Sequence, residues 1–194
     1  TTLFRSRIDD LFAAAGIEPP TEYLLAQSHD GYDTNLPVAD LQIEYSIATR
    51  GPEEKIFPLL RELGISATLY GIFSRGLLTG SKVGGPGDYR AWLPRFSGAN
   101  QAQNLPLVDK LRGFAEERGM SPAQLAVAWA LARQPGFVPL VGSRTRKQLN
   151  EALAALAHPL SAADATALES IVTKDAIAGT RYAAEQMKHL DSER

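Results

Sequence analysis

The sequence predicts an α/β fold built on a parallel sheet, and three observations carry that expectation. Short apolar runs recur at Leu41 to Ser46, Ala67 to Phe73 and Phe137 to Val141. Longer amphipathic segments with helical spacing follow each of them, the alternation expected of βα units. Gly64 and Gly119 stand where two of those segments end, as left-handed caps do.

The elements follow in order. Thr1 to Ala15 reads as a helix burying Leu3, Phe4, Ile8, Leu11 and Phe12 ahead of Gly16, and Glu22 to Gln27 as a strand. The polar connector SHDGYDTN then leaves no room for a helix, so the βα rhythm breaks there. Glu53 to Leu63 places Ile56, Leu59, Leu60 and Leu63 on one helical face, and Pro58 implies a kink or a restart. Ser81 to Gln103, rich in Gly and Pro, reads as a long loop, and loops of that length in a compact domain are functional or mobile. A helix is expected from Leu105 to Arg118. Ser121, Pro122, Ala123 and Gln124 spell a capping box with proline at the first helical position, opening a helix through Ala132. Thr145 to Leu156 and Ser161 to about Val172 complete the helices.

Composition narrows the partners. A chain of 194 residues with 44% apolar content holds a sizeable core in one domain, or in one domain with an appendage. Twenty basic residues against 22 acidic ones form no block for nucleic acid or a membrane surface, so small molecules are the expected partners. No window approaches 18 uninterrupted apolar residues and TTLFRSRIDD lacks the order of a secretion signal, which makes a cytoplasmic location the default expectation. Cysteine is absent, and His29, His158 and His189 lack ligand spacing, so no metal site is expected.

Two segments have the makings of a phosphate cradle. Gly71 to Gly80, GIFSRGLLTG, follows the second strand and brings Ser74 and Arg75. Gly142 to Lys147, GSRTRK, lies between the third strand and a helix whose N-terminal amides favour an anion. The alternative is that both are ordinary strand-to-helix turns with solvated cations. Both follow strands, on the side where barrel enzymes place their ligands. Neither has the pattern of a P-loop or of a Rossmann dinucleotide motif.

Five segments in order, QIEYS, YGIFSRGLLTG, DYR with LPRF, SPAQLAVAWAL, and VPLVGSR with QLNEAL, resemble the C-terminal half of the aldo-keto reductase family. The likeness runs from about Leu36 to Leu190 and is closest to the branch near pyridoxal reductases and potassium-channel β-subunits. It implies a partial (β/α)8 TIM-type barrel, a half-barrel equivalent to strands five to eight, occupying residues 37–194 behind a divergent helix–strand unit at 1–36. Such barrels typically need about 250 residues, with shorter examples near 200. By the same resemblance Gln42 bonds the nicotinamide carboxamide of NADPH and Tyr70 lays its ring against the nicotinamide. Gly71, Ile72, Phe73, Ser74 and Arg75 wrap the pyrophosphate, and Lys82 and Arg90 close over it. Gly142, Ser143 and Arg144 meet the adenosine phosphate, while Gln148 and Glu151 meet the adenine end. An arginine at 144 suits a 2'-phosphate, whose oxygens match its planar fork. Ala152 departs from the asparagine common at its position, and Glu44 and Tyr45 read as structural.

The family's catalytic tyrosine, lysine, aspartate and histidine belong to the preceding half of the barrel. Residues 1–36 do not match it, and no lysine precedes Lys55. His29, Asp30, Tyr32 and Asp33 form either an acid/base cluster or, more simply, a polar connector. The words FRSRIDDLFAAAGIEP and TEYLLAQSH faintly resemble the effector-binding domain of LysR-type regulators, which would make the chain a chimera; a rearranged or truncated product is equally compatible. The expected function is an NADPH-dependent carbonyl oxidoreductase represented by its cofactor-binding half. The alternatives are a non-catalytic half-barrel fragment or engineered chimera with residual nucleotide binding, and a small-molecule effector module. An open half-barrel exposes strand edges and an apolar face, so a homo-oligomer is expected.

Overall fold

The computed structural model describes residues 39–85 and 87–188. The elements expected within 1–36, the polar connector and the LysR-like words lie outside the described residues. From Asp40 onward the described residues form one compact unit.

Its centre is a parallel sheet of β1 (Asp40–Glu44), β2 (Ser66–Tyr70) and β3 (Val138–Pro139), ordered β1-β2-β3. Register runs from Asp40 opposite Ser66 to Glu44 opposite Tyr70, and Thr68 stands opposite Val138. The three strands are neighbours and parallel, as the apolar runs predicted. All three are shorter than expected, β2 and β3 most clearly. β2 stops at Tyr70 because Gly71 turns the chain at φ +74° and its carbonyl accepts the Ser74 amide at 2.7 Å. In β3, Pro139 has no N–H to donate to a ladder, and pairing ends once the Leu140 amide reaches the Leu69 carbonyl at 2.8 Å.

Helix α1 (Ile56–Leu63) begins after a separate 3-10 turn at Gly51–Glu53, so the expected segment restarts. Pro58 falls in its first turn, where a missing N–H costs nothing. Gly64, at φ +68°, ends it. Helix α2 (Gly98–Glu116) starts well before the expected Leu105 and carries Pro106 inside it. The polar stretch GANQAQN has no apolar period to reveal a helix, so the loop predicted to Gln103 ends instead at Ser97. Two 3-10 turns, Tyr89–Trp92 and Pro94–Phe96, order that loop. Helix α3 (Pro122–Arg133) has both bonds of the predicted capping box, Gln124 amide to Ser121 Oγ at 3.2 Å and Ser121 amide to Gln124 Oε1 at 2.8 Å. Thr145 caps α4 (Arg146–Leu153), which tightens into a 3-10 turn at Ala154–Ala157, and Ser161 caps α5 (Ala162–Ile171). A short α6 (Ala184–Met187) was not anticipated.

The core sits on one face of the sheet. Ala67 and Leu69 point into it from β2, and α3 buries every residue from Leu125 to Ala130. Tyr45 stacks on Trp129 at 5.1 Å and meets Phe57 edge-on at 5.0 Å. Its hydroxyl donates to Glu53 Oε1 at 2.6 Å and accepts from Gln134 Nε2 at 3.2 Å, and burial pushes its pKa up. Tyr45 is therefore a core side chain, in line with its reading as structural. The other face alternates out of register with the core: Gln42 and Val138 are exposed, and Thr68 and Tyr70 are half-buried.

Candidate functional site

Because the strands are parallel, the turns after β2 and β3 leave the sheet on the same side. The β2 turn is conformationally costly. Ser74 and Arg75 both lie in the left-handed region, at φ +47° and +55°, where each non-glycine residue costs on the order of 1 kcal/mol. Surrounding groups hold them there. Arg95, buried, donates from Nη1 to Ser74 Oγ at 3.3 Å and to Thr49 Oγ1 at 2.9 Å, and from Nη2 to the Ala48 carbonyl at 2.9 Å. Arg90 donates to the Arg75 carbonyl at 3.2 Å, to Ser81 Oγ at 3.1 Å and to the Lys82 carbonyl at 3.0 Å, while Asp88 holds its other edge. Arg90 thus staples the two ends of the β2 loop together. Lys82 is exposed, with its side chain outside that staple.

Gly71 is forced by contact as well as by φ. A Cβ there would meet Glu44 Cγ at 2.9 Å, so only glycine lets the turn pass beside that side chain. Glu44 itself is sealed from solvent. Its Oε2 lies 3.3 Å from Arg181 Nη1 and 3.6 Å from Arg75 Nη2, and Thr49 reaches its other oxygen. The Arg75 guanidinium also sits 4.5 Å from the Tyr182 ring centroid. Tyr70 lies at the strand end opposite Glu44; burial raises its hydroxyl pKa, and Tyr182 and Glu44 raise it further.

The β2 and β3 turns meet in a groove of about 240 Å³, bordered by Phe73, Gly142, Ser143, Gln148 and Glu151 with the first turn of α3. Five residues predicted for the adenosine and pyrophosphate side are therefore brought together. Gln148 accepts the Arg144 amide at 2.9 Å, shaping the turn before α4, and Arg144 is exposed beside it. Ile72 is packed into the core instead. Gln42 and Tyr70 lie on the open face of the sheet, two register positions apart.

A larger cavity of about 540 Å³ lies elsewhere, beyond β1, against Thr49, Arg50, Arg95 and Lys174. Two of its cations are engaged by carboxylates, Arg50 by Glu53 and Glu169 and Lys174 by Glu54. It contains none of the predicted site residues. Residue-level reading missed Arg95, Arg181 and Tyr182. Arg95 sits in the LPRF word that the resemblance quoted, but nothing local marks Arg181, which acts on a strand far away in sequence.

The aldo/keto reductase family matches residues 25–173. The chain belongs to that family. A probable aldo-keto reductase of Glycine max is 36% identical over 149 residues, covering 75% of this chain and 43% of that protein. The aldo-keto reductase str7 of Strobilurus tenacellus is 32% identical over 163 residues, covering 80% of this chain and 48% of its own. Among solved structures, a glycerol dehydrogenase from Gluconobacter oxydans aligns with a TM-score of 0.65 at 26% identity, covering 72% of this chain and 45% of that one. The chain thus spans about half the length of the relatives it matches. Membership in the aldo/keto reductases implies a (β/α)8 barrel, and the described residues hold a parallel sheet with helices packed on one face. Among the described residues no helix is long and apolar enough to cross a membrane, and no cluster of metal-binding side chains occurs.

Proposed function

We propose that residues 37–194 act as the cofactor-binding half of an NADPH-dependent carbonyl reductase, a half-barrel whose catalytic groups belong to a complementary half. The observation that carries this reading is the 240 Å³ groove where Phe73 meets Gly142, Ser143, Gln148 and Glu151. It is open, it lies at the carboxyl ends of the strands, and it has the exposed Arg144 at its rim.

The fit is better at one end than at the other. Gly142 has nothing within 4 Å of a would-be Cβ, so its backbone is free to approach a phosphate. Arg144 would hold a 2'-phosphate, and Gln148 and Glu151 would border the adenine. Gln42 and Tyr70, on the open sheet face, would orient the nicotinamide, with the Tyr70 ring as a flat apolar support. Lys82 would approach the pyrophosphate from the loop, whereas Arg75 and Arg90 act on the loop itself, through Glu44 and through the carbonyls of Arg75 and Lys82. Bound NADPH supplies the hydride for carbonyl reduction. These residues bind, orient and support it.

A second reading, a non-catalytic relative with weak nucleotide binding, draws on that engagement of Arg75. Fluorescence titration separates the two. The first reading expects saturable NADPH binding, weakened roughly tenfold by Arg144→Ala, with NADH affected little because it lacks the 2'-phosphate. Absence of saturable NADPH binding by the wild-type chain contradicts it.

A further inference from the structure

Ser74 stands in the middle of the turn after β2 with its side chain turned inward. Only 2% of the residue is exposed, and its Oγ accepts from Arg95 Nη1 at 3.3 Å. What this part of the turn can offer an anion is therefore main chain. Phe73 at φ −90° and ψ 4°, followed by Ser74 at φ +47°, is the right-handed then left-handed pairing whose successive amides form an anion-binding hollow. The Ser74 amide is held by the Gly71 carbonyl at 2.7 Å, so the hollow is made by the amides on either side of it, those of Phe73 and Arg75. A serine resists a left-handed backbone, and the hollow keeps its shape only while its surroundings fix it.

Arg95 supplies that fixation. Its Nη1 also donates to Thr49 Oγ1 at 2.9 Å, its Nη2 to the Ala48 carbonyl at 2.9 Å and its Nε to the Gly179 carbonyl at 3.3 Å. One buried guanidinium thus joins the turn after β1, the turn after β2 and the C-terminal strap beyond α5. The backbone of Arg95 is pinned as well: Asn104, fully buried on α2, donates to the Arg95 carbonyl at 3.0 Å and bonds Ala178 of the strap at 2.8 and 3.0 Å. The next residue, Phe96, packs with Leu77 and Val108 in a small apolar cluster, so Arg95 and Phe96 grip the turn at Ser74 and again at Leu77. We propose that Arg95 is a positioning residue for the pyrophosphate of the dinucleotide: through Ser74 it holds the β2 turn in the shape that presents the Phe73 and Arg75 amides. The proposal rests on the NADPH reading above and deepens it, because it gives the pyrophosphate to main chain fixed from behind rather than to the Ser74 hydroxyl or to the Arg75 guanidinium, which lies 3.6 Å from Glu44.

Calorimetric titration of the full chain with two probes tests it: 2'-phospho-ADP-ribose, which spans both turns, and adenosine 2'-phosphate, which lacks the pyrophosphate and reaches only the turn after β3. Ser74→Ala removes the acceptor and leaves Arg95 its other partners. It is expected to weaken 2'-phospho-ADP-ribose roughly tenfold and to leave adenosine 2'-phosphate unchanged. Arg95→Met should discriminate in the same way, and the double variant should bind no more weakly than Arg95→Met alone, because both substitutions remove one bond. Thermal melts report folding; should Arg95→Met fail to fold, Arg95→Lys, which keeps the charge and loses the fork, takes its place. Equal weakening of the two probes means a structural role only and overturns the proposal. So do unchanged binding of both probes and additive losses in the double variant. If wild type binds adenosine 2'-phosphate as tightly as 2'-phospho-ADP-ribose, the β2 turn holds no pyrophosphate, and this proposal fails while the adenosine end stands. If wild type binds neither probe, the NADPH reading fails and takes this proposal with it.

Discussion

Glu44 Oε2 and Arg181 Nη1 lie 3.3 Å apart, with 1% and 2% of their side chains exposed, joining the end of β1 to the C-terminal strap. Removing Arg181 leaves the buried Glu44 carboxylate with only the more distant Arg75, at 3.6 Å, to offset its charge, and breaking such a buried pair typically costs about 3–5 kcal/mol. Arg181→Met is therefore expected to lower the denaturation midpoint strongly. Adding Glu44→Gln to that variant should restore part of the loss, because the remaining charge goes too. A double-mutant cycle by urea unfolding measures the coupling, and simple additivity would show that the pair does not interact.

The turn after β2 makes a prediction by contrast. Gly64→Ala places a Cβ in open space at a left-handed position, so it should cost about 1 kcal/mol. Gly71→Ala adds a 2.9 Å clash with Glu44 to the same backbone strain, and should cost distinctly more, roughly 2–3 kcal/mol. Equal losses in chemical denaturation would mean that Glu44 simply moves aside.

The Arg90 staple sets a pH dependence. The Arg90 guanidinium, with smaller help from the Arg90 and Gly84 amides, holds the Asp88 carboxyl well below the usual carboxylate range. A depressed folded value contributes stability that is complete above the unfolded value, about 3.9, and is lost as pH falls through the folded one. Asp88→Asn should therefore loosen the loop at neutral pH, with the difference from wild type vanishing only in strong acid. Limited proteolysis at neutral pH and melting curves taken down to about pH 2 would reveal it. A gap between the two proteins that stays constant with pH excludes the carboxylate as its source.

Association is the fourth expectation. Val138 on the outer strand and Leu140 just after it are 57% and 49% exposed, and β3 is the last strand of the sheet among the described residues. An apolar edge of this kind pairs readily. Sedimentation should show a dimer or larger species at micromolar concentration, with Val138→Lys shifting it toward monomer. A wild-type monomer of 21.0 kDa under those conditions contradicts the proposal.

The parts of this fold that sequence made legible are those with local causes. Ser121 and Gln124 bond each other within one helical turn, Gly64 needs only its own φ, and the apolar runs at Leu41 and Ala67 become neighbouring strands because their period matches a buried face. Helix α2 hid its start because GANQAQN buries only Asn104 there, and an asparagine does not signal a core position. The Glu44–Arg181 pair joins residues far apart in sequence, so no pattern announces it. The groove lies between these cases: its two turns were visible as separate loops, and only the parallel sheet made them adjacent.

The central claim is that the turns after β2 and β3 together receive a phosphorylated dinucleotide. Amide NMR of the isotopically labelled chain, titrated with NADPH, tests it most directly. The account predicts saturable shifts concentrated at Tyr70 to Arg75 and Gly142 to Glu151. Shifts confined to the cavity around Arg50 and Lys174, or none at saturating NADPH, would contradict it.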